Sequence, residues 1–135
     1  MSVNKRTPSR YKKPWGIEEV WASTPQSVGK ILTIHAGHRL SRKYHRLKNH
    51  TIRILSGTLT LEVGPHAEGG DIDRLQLHAG DAYYLESRTI HRFCADNDEV
   101  VLVEVSSQGA SDSVRLEDDY RRIRTFPDRG PQSDK

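Results

Sequence analysis

Apolar and polar residues alternate with a period of two in short runs along most of the chain, and each run stops at a glycine or a cluster of small polar residues. KILTIH (30–35) alternates until Ala36-Gly37 breaks it, and TIRILSGTLTLEV is two β-branched and apolar runs joined at Ser56-Gly57. IDRLQLH, AYYLES, IHRFCA and EVVLVEVS follow, separated by Ala79-Gly80-Asp81, by Ser87-Arg88 and by residues 95–98. Such periodicity predicts strands at about 30–35, 51–55, 58–63, 74–78, 83–85, 90–94 and 99–105. Ser56-Gly57 reads as a hairpin turn, and GPHAEGGD as a loop projecting from one end. Regular short strands of this kind predict an all-β sandwich or barrel. Alternation places Ile52, Ile54, Leu59, Leu61 and Val63 in its interior, with Val101, Val103 and Val105. SVRLEDDYRRIR reads as an extended piece followed by a helical turn.

At 135 residues the chain suits one domain and one core. The expected division is a flexible basic arm at 1–13, a folded domain at 14–122 and a polar tail at 123–135. The arm holds Lys5, Arg6, Arg10, Lys12 and Lys13 without an acid. No aromatic platform accompanies that charge, so nucleic acid is the less favoured partner. No stretch approaches the roughly 20 apolar residues of a membrane span, and the basic start runs into no apolar signal core. A cytoplasmic address is the expectation, and the single cysteine, Cys94, fits a reducing compartment. Trp15 and Trp21 are expected to cap the barrel or fill a dimer seam.

Two segments carry the candidate chemistry: GHRLSRKYHRLKNH, leading to Gly57, and GDAYYLESRTIH, ending at His91. Together they resemble the two halves of a cupin signature, in which three ligands come from the first half and a fourth from the second. The resemblance implies a double-stranded β-helix, the jelly-roll barrel, with Lys43, His45, His50 and His91 at the ligand positions. His35, His38, His66 and His78 lie in strand ends or loops without such partners and read as ordinary histidines.

Over about residues 13–122 the order of KPWGIEEVW, VGKILTIHAGHRLSRKYH, ILSGTLTLEVG and VRLEDDYRR is similar to the C-terminal cupin half of type II mannose-6-phosphate isomerases and their stand-alone relatives. That family's glutamine ligand is Lys43 here, its arginine Lys48 and its glutamate ligand His50, while His45 and His91 match. The proline and glycine before the last histidine are Glu86 and Arg88, and the glycine of the closing DxYGR is Arg121. What the resemblance implies is one divalent transition metal on His45, His50 and His91, with Lys43 and Lys48 catalytic and Lys43, Lys48 and Arg88 holding a sugar or sugar phosphate. It also implies homodimers paired through edge strands.

Three neutral imidazoles favour zinc, nickel, iron(II), cobalt or copper over magnesium and calcium, with manganese between them. An ammonium at Lys43 opposes a cation, so it deprotonates, swings away or replaces the metal. In the last case Lys43, Lys48, Arg88 and Arg92 form a cationic pocket for a phosphate or carboxylate. Three functions therefore stay open: an aldose-ketose isomerase, a three-histidine oxygenase and a non-catalytic sugar or anion binder.

Overall fold

The computed structural model of the protein describes residues 4–65, 70–108 and 112–120. The start of the basic arm, His66, the expected helical turn and the tail at 123–135 lie outside the described residues. Within them the chain forms eleven strands, β1 (Ser9–Lys13), β2 (Gly16–Ser23), β3 (Ser27–Ile34), β4 (Arg42–His45), β5 (His50–Ser56), β6 (Leu59–Val63), β7 (Asp73–Leu77), β8 (Ala82–Leu85), β9 (His91–Cys94), β10 (Val100–Ser107) and β11 (Ser113–Glu117). No described helix is long and apolar enough to cross a membrane.

The strands make two antiparallel sheets, β1-β2-β3-β10-β5-β8 and β11-β4-β9-β6-β7. The expected all-β double-stranded barrel is what the chain builds, and the seven predicted strands are β3 and β5 to β10. Three strands were not predicted in the amino-terminal half. Ser9–Lys13, read as flexible, pairs with β2 along Ser9↔Val20 to Lys13↔Gly16 and closes one edge of the larger sheet. β2 itself hides in the aromatic lead-in, and β4 is a polar run, RKYH, that carries no strand composition.

Ser56-Gly57 is not a hairpin turn. β5 pairs with β10 and β8, whereas β6 pairs with β7 and β9, so this turn carries the chain from one sheet to the other. Gly57 has φ 81°, and a Cβ there would run into the backbone of Glu99 and Val100, so glycine is needed on both counts.

Between the sheets Trp15, Leu32, Ile34, Ile52, Ile54, Leu59, Leu61, Phe93, Val100 and Leu102 are buried. Each such side chain contributes about 1.5–3 kcal/mol relative to exposure. The expected inward set on β10 is displaced by one residue: Val100, Leu102 and Glu104 are buried, while Val101 and Val103 are half-buried and Val105 is 46% exposed. Trp15 is part of the core, and Trp21, at a bulge in β2, lies outside against Gly29.

The smaller sheet is also covered on its outer face, so that all five residues of β6 are buried. Glu62 there accepts from Arg42 at 2.7 Å and from Arg74, and its charge faces the Cys94 thiol at 3.9 Å. Burial, helped by that charge, pushes Cys94 up to about 12. Arg92 donates to the Leu40 carbonyl at 2.9 Å and pairs with Glu117 and Asp119 at 3.6 and 3.7 Å. Arg39 holds Asp119 through two bonds of 2.7 and 3.0 Å. Arg92 is therefore committed to this outer network and cannot join an interior cationic pocket.

Burial would raise the Glu62 carboxyl, but the Arg42 bond and the charges of Arg42, Arg92 and Arg74 hold it below its usual value. The Arg39 bond lowers Asp119 against a smaller burial effect. A depressed folded value means stability that is complete above the unfolded carboxylate range, about pH 4, and lost as pH falls through the folded values. Denaturant midpoints are therefore expected to fall steeply below about pH 4, and Glu62→Gln should flatten that fall while lowering stability at pH 7. An unchanged pH profile in the variant would exclude this network as its source.

Candidate metal centre

His45 ends β4, His50 begins β5 and His91 begins β9, so the three imidazoles come from both sheets to one end of the interior. Alternation turns each ring inward: His45 follows buried Lys43 by two, and His50 precedes buried Ile52 and Ile54. Ring centroids lie 5.0 Å apart for His45 and His50, 5.7 Å for His45 and His91, and 4.9 Å for His50 and His91. One nitrogen from each falls within 4.8 Å of the others, and all three residues are buried.

Each Nδ1 has an acceptor. His45 Nδ1 lies 2.9 Å from Asp112 Oδ1, His91 Nδ1 lies 3.0 Å from the Thr89 carbonyl, and His50 Nδ1 contacts Glu104 Oε2. A proton held on Nδ1 leaves the Nε2 lone pair for the centre, and the partner fixes the ring plane. This donor set fits one transition-metal ion, with further coordination positions left open to a ligand.

Glu104 and Asp112 were not among the expected site residues. Every other residue of VVLVEV is apolar, so both strand faces look alike, and a register with Val101, Val103 and Val105 inside turns Glu104 outward. Asp112 lies outside both signature segments. It accepts from the amides of Leu47 and Lys48 at 2.6 and 2.9 Å as well as facing His45. Burial opposes its charge, yet the His45 bond and the two amide bonds together hold it well below the usual carboxylate range.

Lys43 faces inward beside the centre, 1% exposed, and is the register partner of His91. Lys48 is half-buried in the turn between β4 and β5, held through its backbone by Asp112. Arg88 is not brought to the site. Its guanidinium sits 5.7 Å over the Tyr44 ring, and Tyr44 occupies the face of β4 opposite Lys43 and His45. Its amide donates to the His45 carbonyl at 2.6 Å, so its contribution is through the backbone. Among the other histidines, exposed His35 pairs with Glu99 at 3.5 Å and His78 with Asp81 at 3.8 Å, while His38 stacks on Tyr120, all away from the centre.

With this barrel and this cluster, the match of residues 30–106 to the cupin domain family places the chain in that family: it belongs to the cupins. No curated protein matches it. Its fold is similar to the capsular polysaccharide assembling protein CapF from Staphylococcus aureus, at 13% identity and TM-score 0.75, over 84% of this chain and 35% of CapF. The chain thus spans about a third of CapF's length. It is also similar to KdgF from Halomonas sp., at 18% identity and TM-score 0.62, over 76% of this chain and 86% of that one. A candidate sugar phosphate isomerase from Acidithiobacillus ferrooxidans aligns at 15% identity and TM-score 0.53, over 62% of this chain and 51% of that one.

Arg88 stands at the position where the related pattern has glycine, and its φ of 69° is the left-handed conformation that glycine adopts without strain. Arg88→Gly is expected to be more stable than Arg88→Ala by about 1 kcal/mol, since both lose the side chain and only alanine keeps the backbone strain. Equal denaturation midpoints would show that the turn is not strained.

Proposed function

We propose that this cupin holds one divalent transition-metal ion on His45, His50 and His91 and performs proton transfer on a sugar or sugar phosphate, an aldose-ketose isomerisation. The observation that carries the metal reading is the set of Nδ1 acceptors behind the three converging rings. The sugar reading is supported by the resemblance to mannose-6-phosphate isomerases and by fold neighbours named for polysaccharide assembly and sugar phosphate isomerisation. A bound ion would supply Lewis-acid polarisation of a carbonyl oxygen. Lys43 Nζ is the group assigned to move the proton, because Lys43 projects into the same interior from the strand that carries His45. Asp112 and Glu104 position His45 and His50. All three residues are buried in the barrel wall, which limits their contact with water.

A three-histidine oxygenase is the second reading, favoured because the carboxylates nearest the centre, Asp112 and Glu104, stand behind imidazoles and leave an all-nitrogen donor set.

Protein purified without added metal is expected to carry about one transition-metal ion per chain by elemental analysis. His50→Ala should lose it. Asp112→Asn should weaken metal affinity by about 10- to 100-fold. Lys43→Gln, which removes a like charge, should bind metal more tightly yet lose isomerisation of mannose 6-phosphate or free mannose, followed by NMR. Dioxygen uptake by the iron(II)-loaded protein without sugar isomerisation would select the oxygenase. Metal content of zero under all loading conditions removes both.

We also propose a homodimer, formed through the outer face of the larger sheet rather than its edges. Register places Gly29, Val105, Thr51 and Tyr84 in one row across β3, β10, β5 and β8, with Trp21 lying on Gly29. Trp21, Val105 and Tyr84 are 41%, 46% and 57% exposed, so the row leaves apolar surface open to a partner. Sedimentation should give twice the chain mass, and Val105→Lys should give monomers that keep their metal. A monomeric parent protein overturns this.

A further inference from the structure

The larger sheet ends at β8 and the smaller at β7, and beside these two edge strands opens a cleft of about 580 Å³. Its size falls within the range of small-molecule sites. It shares a wall with the three-histidine centre in two ways. Asp73, Val63, His91 and Lys43 are successive register partners across β7, β6, β9 and β4, so their side chains leave the same face of the sheet. Thr89, whose carbonyl holds His91 Nδ1, also lines the cleft.

The lining has a definite chemistry. Asp71, Asp73 and Glu86 line the cleft together with Tyr83, and no lysine, arginine or histidine is among the described lining residues. Of the arginines next in sequence to lining residues, Arg88 is engaged over Tyr44, and Arg74 reaches Glu62 and Asp96 from the other face of its strand. Carboxylates accept hydrogen bonds from hydroxyl groups and attract ammonium groups, and tyrosine offers a flat apolar body with a polar tip. A phosphate placed there meets the like charges of Asp71, Asp73 and Glu86. Each such pair is repulsive, less so as salt rises, and the three act together.

We propose that this cleft is the outer part of the ligand site and that it selects a hydroxyl-rich molecule carrying no phosphate at that end, an uncharged or amine-bearing sugar. The inference rests on the sugar reading of the centre and narrows it: the phosphate grip expected from Lys48 and Arg88 is replaced by recognition of hydroxyl or amino groups by Asp71, Asp73 and Glu86.

The test is an NMR titration of the zinc-loaded and the zinc-free protein with glucosamine, mannose and mannose 6-phosphate, reading the amides of Asp73 and Thr89. Glucosamine is expected to bind tightest and mannose 6-phosphate weakest, by roughly fivefold or more relative to mannose at low salt, with the gap closing at high salt. In Asp71→Asn/Asp73→Asn/Glu86→Gln, whose changed side chains are all exposed, the three affinities should converge. Tightest binding by mannose 6-phosphate, an unchanged order in the triple variant, or no response to any of the three sugars overturns the inference. Absence of zinc binding with the predicted order intact would instead remove the metal-enzyme reading and leave the cleft.

Discussion

The contact between Glu104 and His50 is the constraint around which the interior is arranged. A buried imidazole needs an acceptor for Nδ1–H, and a buried carboxylate is several kcal/mol unfavourable unless hydrogen-bonded, so each group makes the other tolerable. Glu104 lies on β10, which is paired on both sides, by β3 and by β5. That strand has little freedom to shift. Because Glu104 must point inward, Val100 and Leu102 point inward with it, and Val101, Val103 and Val105 are turned toward the opposite face. One polar contact thus fixes the register of the core, the orientation of a donor ring and the character of an outer surface.

His45 is fixed from farther away. Asp112 directly precedes β11, and β11 pairs with β4 along Ser113↔His45 to Arg115↔Lys43. The far end of β11 is tied down by Glu117 on Arg42 at 2.7 Å, and the residues after it by Asp119 on Arg39. Arg42 also reaches Glu62 in the middle of the sheet. The ion network on the outside of the barrel therefore serves the centre on the inside, since it holds the segment that delivers Asp112. Exposed ion pairs contribute little singly, whereas a network anchored on buried Glu62 and buried Arg92 is costly to break, because removing one partner leaves the other desolvated and uncompensated.

Set beside the isomerase pattern that the sequence resembles, this chain keeps the backbone roles and differs in the side chains. Arg88 holds a positive φ and an amide bond to the His45 carbonyl, so the turn survives without its glycine. His50 stands where that pattern has a carboxylate ligand, and the carboxylate of Glu104 lies behind it. Lys43 replaces a neutral ligand with a buried amine in register with His91. In this chain the negative charge stands behind the imidazoles, on Glu104 and Asp112. That favours a softer ion and leaves an amine beside the centre.

The strand runs from 30 to 105, the barrel and the three converging histidines were legible in the sequence, because alternation and turn residues are local properties and the two signature segments carry their spacing with them. β4 was not legible, since RKYH has no strand composition and is held in the sheet by its neighbours. Neither was the switch of sheets at Gly57, because the same turn residues serve a hairpin and a crossing, and only the close approach of Glu99 distinguishes them. The supports of the centre depended on tertiary structure altogether. Glu104 lies 54 residues from His50 and Asp112 lies 67 from His45, and no local pattern tells a charged side chain to point inward. Sequence determined which residues are able to bind a metal; packing decided which faces they occupy, which carboxylates orient them and that Arg88 and Arg92 are engaged elsewhere, because desolvated charges take their partners from whatever the folded chain brings within reach.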